Sequence, residues 1–216
     1  MTFQELYSFI LEATSRPTTF TAKAKMAVNL AVKQALNLHQ FSYNKDFETV
    51  TYTASSETVN WRSLLASAHS IASVMEVSSN GAYLRTLPVV AFDKLLAEFK
   101  PASVLMWDSE AVTTEQTQPR QAFLIQDKLG LYPKPSTNVL LKVIYYKKLV
   151  DLSGDSDTNF LTEYCSDLII DLALQRFNYF LKEDERYPVT EAQIKRSLTA
   201  AQQWDSNVVN NTGIDW

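Results

Sequence analysis

The sequence predicts an α+β protein, with terminal α-helices forming a helical bundle and an antiparallel β lobe inserted between them. Three observations carry that expectation. Apolar residues recur at helical spacing near both ends, at Phe3, Leu6, Tyr7, Ile10 and Leu11 and again from Phe160 onward. The middle contains stretches that alternate with period two and are rich in β-formers, such as Phe47-Glu-Thr-Val-Thr-Tyr-Thr-Ala54. Within that middle lies Asn80-Gly81, the strongest short hairpin signal, since both positions accept positive φ. The order of helices, strands and helices predicts a single α+β domain over residues 1–205. It is helical at 1–40 and 159–205 and β-rich at about 45–147, and a polar tail follows at 206–216.

Each element has a local reason. Thr2 and Glu5 form a capping box for a helix over 2–15, which Ser-Arg-Pro17 stops because proline disfavours helical geometry in the residue before it. A second helix spans about Thr21 to Leu38. Its face of Ala24, Ala27, Val28, Ala31, Val32 and Ala35 is small enough for close helix–helix approach. Strands are expected at 47–54, 71–77 and 83–87, the last two joined by the Asn-Gly turn. Val89 to Phe99 reads as a short helix between Pro88 and Pro101. Ala122–Gln126 and Gly130–Tyr132 read as strands around an Asp127-Lys128 turn. Asn138–Lys147 is a strand with apolar residues on both faces. Asn159 is placed to cap a helix from Phe160 to Lys182, and Thr190 with Gln193 can cap a last helix running to about Asp205.

Composition narrows the function. The 216 residues suffice for one large domain, with 46% hydrophobic and 20% charged residues, ordinary for a globular protein. Only 4 glycines are present, which nearly excludes a glycine-rich phosphate loop. The single cysteine, Cys165, cannot form an internal disulfide and suits a reducing compartment. The first residues lack the basic and apolar regions of a signal peptide. No run approaches the roughly 20 apolar residues of a bilayer span, so no membrane partner is expected. Net charge is −4, made of 15 Lys+Arg against 12 Asp+Glu in residues 1–150 and 5 against 12 in residues 151–216. An acidic last third makes a poor nucleic-acid binder.

Candidate chemical residues are few. His39 and His69 stand 30 positions apart with no neighbouring cysteine or paired histidine, which argues against zinc. His39 fits better as packing or capping at the end of the second helix. Cys165 lies early in a helix but has no visible base, so it reads as a small apolar residue. Asp155, Asp157 and Asn159 imitate the start of a calcium loop. Phe160 stands where its glycine belongs and Ser166 where its glutamate belongs, so a polar turn with a helix cap explains them better. Glu183-Asp184-Glu185-Arg186 is a dense charge cluster that suits a solvated helix end, or a subunit contact in which Arg186 meets a carboxylate. No catalytic, cofactor-binding or metal-ligating residue is expected.

The stretch from Tyr145 to Arg186 is the most specific. It reads Tyr-Tyr-Lys-Lys-Leu-Val-Asp-Leu-Ser, then Gly154-Asp-Ser-Asp-Thr-Asn-Phe160, then a helix closing on Leu-Lys-Glu-Asp-Glu-Arg186. With Thr14-Ser-Arg-Pro17, His39-Gln-Phe-Ser-Tyr43 and Lys45-Asp-Phe-Glu48 in the same order, it resembles the head-to-tail adaptor, or connector, proteins of tailed bacteriophages. The chain has Tyr164-Cys-Ser-Asp-Leu168 where that family has Tyr-Pro-Asp-Leu, one residue longer. The resemblance covers roughly 1–60 and 138–205. It implies a non-enzymatic virion protein of the neck, made in the host cytoplasm. It also implies a ring, usually of twelve copies, docked beneath the portal protein. The ring would extend the DNA channel without sequence-specific binding and offer a platform to a downstream tail or nozzle protein.

On that reading Asp155, Asp157, Glu183, Asp184, Glu185 and Arg186 are candidates for a channel lining or subunit seam, where acidic groups would repel phosphate. Trp204, Ile214 and Trp216 are candidates for docking on the portal or tail, Trp216 as an aromatic anchor on a loose tail. The rival readings are another neck or tail-completion protein and an unrecognised small cytoplasmic enzyme.

Overall fold

In a computed structural model, residues 1–54, 56, 58–98, 118–181 and 189–212 are described. The chain divides into two compact units, Met1–Asn44 with Leu149–Trp216, and Lys45–Lys148. The first is helical and the second is built on two sheets, as the α+β expectation requires.

In the helical unit, α1 (Phe3–Ala13) carries the expected reciprocal cap between Thr2 and Glu5. It ends before Pro17. Ser15 turns left-handed at φ 52°, and the Arg16 amide donates to the Leu11 carbonyl at 2.8 Å. That closure satisfies the last-turn carbonyls locally. A 3-10 turn, Thr18–Phe20, leads into α2 (Thr21–Leu38). The small-residue face of α2 is fully used: Ala24, Ala27, Val28, Ala31 and Ala35 are all buried. Deleting side-chain bulk lets α2 pack closely on α1 and above all on α6 (Ser166–Leu181). Asn29 adds a two-point tie, its amide donating to the Leu152 carbonyl at 3.0 Å while its oxygen accepts from the Leu152 amide at 2.9 Å.

The expected 160–182 helix is two helices. α5 (Phe160–Tyr164) ends at Cys165, whose φ of −126° leaves the helical region, and α6 starts at Ser166. Thr, Cys and Ser there have weak helix propensity, so packing can break the helix at small cost. Asn159 caps α5 as expected, in a reciprocal pair with Thr162. The last helix, α7 (Glu191–Thr212), starts under a Thr190 cap as expected but runs past Asp205. Residues 206–212, read as a loose tail, are therefore helical. Asn and Ser are poor interior helix residues, but here they extend a helix already formed, and adding a residue to a helix costs less than starting one.

In the β unit, β1 (Lys45–Tyr52), β8 (Val139–Lys147), β3 (Ala68–Val77) and β4 (Tyr83–Leu87) form one antiparallel sheet in that spatial order. Gly81, at φ 81°, makes the β3–β4 turn that Asn-Gly foretold. The second sheet runs β2 (Thr58–Asn60), β7 (Lys128–Tyr132), β6 (Gln121–Ile125), β5 (Val89–Ala91). It is mixed, since β5 pairs parallel with β6. Val89–Ala91 is thus strand where helix was expected, because it pairs with Ala122–Leu124, a site that suits the extended preference of Val-Val. The helix α4 begins only at Phe92 and reaches Glu98, while a short α3 (Trp61–Leu64) follows β2. The β6–β7 turn is Gln126-Asp127, one residue earlier than expected. Ile125 pairs with Lys128, and Gln126 takes the left-handed φ of 52°. A side chain on Gly130 would meet the Phe123 ring at 2.1 Å, so the ring fills the space a Cβ would need. Val50, Tyr52, Trp61, Val74, Leu87, Leu131, Leu141 and Val143 make the core of this unit.

Candidate docking surface

The one expected docking residue that lies among the described residues is Trp204, and it sits in an aromatic cluster of the helical unit. Its construction begins below, with Asp205. That carboxylate is buried, 4% exposed. Its Oδ2 accepts from the Ser42 amide at 2.9 Å and its Oδ1 from the Tyr43 amide at 3.1 Å. His39 Nε2 lies 3.2 Å from Oδ2. One side chain of α7 therefore pins the turn Ser42–Asn44 that follows α2. A carboxylate accepting two backbone amides is a strong, directional tie.

The aromatic rings stack outward from that pin. His39 meets Phe41 edge-on at 4.6 Å, and Phe41, fully buried, meets Phe160 at 5.5 Å. Tyr43 then lies against Phe160, Tyr164 and Trp204 at 5.5, 5.9 and 5.6 Å. Trp204 stacks on Tyr164 with centroids 4.9 Å apart and planes 15° from parallel. Phe160 and Tyr164 share a face of α5 because they are four residues apart. Tyr43 remains 48% exposed and Tyr164 52%. The outcome is a surface of tyrosine and tryptophan faces, each ring packed against at least two others. Large, preorganised, amphipathic rings lose little entropy on contact, which is what protein docking sites use.

Cys165 lies beneath this surface, buried, with its thiol pushed up to about 11 by burial and by the charge of Asp205. Burial therefore favours its thiol form at neutral pH, in keeping with a small apolar side chain. His39 packs and bonds at the end of α2, as expected. His69 is exposed on β3. Among the described residues no group of three or more His, Cys, Asp or Glu is arranged for a metal, and no helix is long and apolar enough to cross a membrane.

Asp155 and Asp157 sit elsewhere in the same unit, in the loop before α5. Asp157 turns back on its own loop, Oδ2 accepting from the Ser153 amide at 2.9 Å and the Gly154 amide at 2.7 Å. These bonds hold its carboxyl below the usual range. Asp155 Oδ1 accepts from Lys25 Nζ at 2.7 Å and Tyr7 Oη at 3.1 Å, and these two bonds likewise lower it. The backbone carbonyls of Asp157 and Asp155 receive the Phe3 and Gln4 amides at 2.9 and 3.0 Å. The loop thus supplies acceptors for the open first turn of α1 and ties it to α2. Glu183, Asp184, Glu185, Arg186, Ile214 and Trp216 lie outside the described residues.

Asp205, Tyr43, Phe160 and Tyr164 were not read as site residues. A signal existed for Asp205, since Ile194, Leu198, Ala201 and Asp205 share a helix face and the acid is its odd member. The rings could be joined only by the fold, because they come from three separate segments.

A protein-family model described as SU10 adaptor protein matches residues 1–212. No curated protein matches the chain. That family match runs through the helical ends and the β region alike, including the stretch from 60 to 137 for which the sequence offered no quotable motif. The chain therefore belongs to the SU10 adaptor family, the structural head-to-tail adaptors of tailed bacteriophages that its Tyr145–Arg186 stretch resembles.

Proposed function

We propose that this adaptor assembles as a ring of twelve copies beneath the portal protein, extends the DNA channel, and presents a platform to the tail or nozzle protein. The observation that carries the adaptor role is the family match over residues 1–212. The ring, its number and its position under the portal come from the family resemblance. The aromatic surface around Trp204 supports a docking function, since exposed stacked rings are the most economical contact a small protein can offer. In this reading Tyr43, Tyr164 and Trp204 seat the helical unit on the portal or tail, with Ile214 and Trp216 as further docking candidates.

The acidic residues belong to the same proposal in unequal parts. Asp157 is consumed by its loop. Asp155 keeps a side chain 52% exposed and can face the channel or a neighbouring copy. Glu183, Asp184, Glu185 and Arg186 are the remaining seam candidates. Genomic DNA passes without sequence-specific contact.

The test is mass in solution with and without purified portal, by light scattering or native mass spectrometry. Stoichiometric copies joining the portal are expected, whether the free protein is a monomer or a ring. A stable particle indifferent to the portal would overturn the position under the portal and favour another neck or tail-completion role. Trp204→Ala with Tyr164→Ala should weaken capture by portal or tail protein at least tenfold. If both captures are unchanged in a folded double variant, the aromatic surface is not the docking site.

A further inference from the structure

We infer that copies of this protein join edge to edge through the four-stranded sheet, β1 of one copy pairing antiparallel with β4 of the next. The inference rests on the ring reading above and names a contact that would build the ring.

In the order β1-β8-β3-β4, both β1 and β4 are edges, and among the described residues no strand pairs with their free sides. One hydrogen bond tells which β1 groups point outward. The Phe47 amide donates to its own Asp46 carboxylate at 2.9 Å, so it does not donate to β8. Residues in an antiparallel ladder alternate between facing the partner and facing away. Phe47, Thr49 and Thr51 therefore turn their N–H and C=O groups away from β8. This edge is eight residues long, pairs with β8 without a bulge, contains no proline, and is uncharged from Thr49 to Tyr52. Native sheets usually blunt so regular an edge, because it templates pairing with another chain.

Parity makes a second copy in the same orientation a fitting occupant. Each neighbouring pair in the sheet is antiparallel, and four is an even number, so β1 and β4 run in opposite directions. A second copy in the same orientation, rotated about an axis along the strands, brings its β1 antiparallel to the first copy's β4. The alternation then continues unbroken around a closed ring, as a heterologous contact requires. Both edges also expose large apolar side chains, Phe47 on β1 and Tyr83 and Leu84 on β4. β4 shifts register beside Glu76 and Val77, which confines its regular ladder to Arg85–Leu87. So short a pairing is weak alone, and it fits lateral contacts that form as copies collect on the portal.

The experiment uses full-length protein with purified portal. Thr49, Lys142, Met75 and Thr86 are successive partners across the sheet, so their side chains share one face. Thr86→Cys is combined in turn with Phe47→Cys, Thr49→Cys and Thr51→Cys, which lie on that same face. Cys165 is buried and gives little background. After oxidation, one of the three pairs should give a ladder of disulfide-linked multimers that Thr86→Cys alone does not. Thr49→Pro removes an outward amide without touching the β8 ladder, and should lower ring formation at fixed concentration at least tenfold with unchanged circular dichroism. A Thr49→Cys single variant that links only into dimers would mean β1–β1 pairing and overturn the inference. A portal-bound ring that shows no ladder and is indifferent to Thr49→Pro would overturn the strand contact while the ring reading stands. No multimer on the portal would overturn both.

Discussion

Two carboxylate hubs organise the helical unit, and they differ in every respect except chemistry. Asp155 and Asp157 hold an exposed loop against the start of α1. Asp205 holds the end of α2 from within. The Asp155 side chain is 52% exposed and that of Asp205 is 6% exposed. Water competes for every bond that the exposed loop makes, and salt screens its charges. Water reaches the buried hub less, since the Asp205 side chain is almost fully enclosed while accepting the amides of Ser42 and Tyr43. The lesson is that the visible acidic run and the energetically important acid are different residues. Charge in a cluster draws the eye, yet a lone acid on an apolar stripe carries the larger cost of removal.

The sharpest break of this comparison is Asp205→Ala. It strands two backbone donors and leaves His39 without its acceptor, at a cost of about 3 kcal/mol. Urea unfolding followed by circular dichroism should show the midpoint fall, and Trp204 emission should shift as the ring stack loosens. Asp205→Asn retains one oxygen acceptor and should recover part of the loss. An Asp205→Ala midpoint no lower than that of Asp155→Ala would erase the distinction between the hubs.

A smaller effect tests the small-residue face of α2, whose far end the buried hub holds. Ala31 is fully buried on the small-residue face of α2. Ala31→Leu forces extra bulk into that face and should destabilise by about 2 kcal/mol. If the bundle accommodates leucine with no change in midpoint, α2 is not closely packed and the Asp205 tie bears the unit instead.

The bundle was legible because its signals are local and repeat. The alanine stripe of α2, the Thr2–Glu5 capping box and the Asn159 cap are each read within one element. So is the β3–β4 hairpin, where Asn80-Gly81 carries the conformational demand itself. The misread parts depend on pairing over distance. Val89–Ala91 is a strand only because Ala122–Leu124 lies alongside it in parallel register. The break at Cys165 falls where local helix propensity is weak, and the seven further helical residues after Asp205 continue a helix already formed. Of the three outermost residues of the aromatic surface, the sequence reading names one. Trp204 is named as a candidate beside Ile214 and Trp216, while Tyr43 and Tyr164 look ordinary until the turn, α5 and α7 are brought together.

The mildest prediction concerns pH and the exposed hub. Asp155 and Asp157 are held below their ordinary 3.8, and Glu5 below its ordinary 4.5, by bonds made only in the folded chain. A carboxyl depressed on folding adds stability that is complete above its unfolded value. That stability drains away as pH falls through the lower, folded value. The helical unit should therefore hold its unfolding midpoint down to about pH 4.5 and lose it progressively below. Asp155→Asn with Asp157→Asn should flatten that acid limb and lower the neutral-pH midpoint less than Asp205→Ala does. At the alkaline end the order of causes changes. Burial first, then Asp155, raises Tyr7 above its ordinary 10.0, and the bond to Asp155 raises Lys25 above 10.5. Both groups favour the folded state while protonated, so stability falls again as pH climbs beyond those values. An acid limb that is unchanged in the double Asn variant would mean that the loop's carboxylates do not hold α1, and that its backbone acceptors alone do.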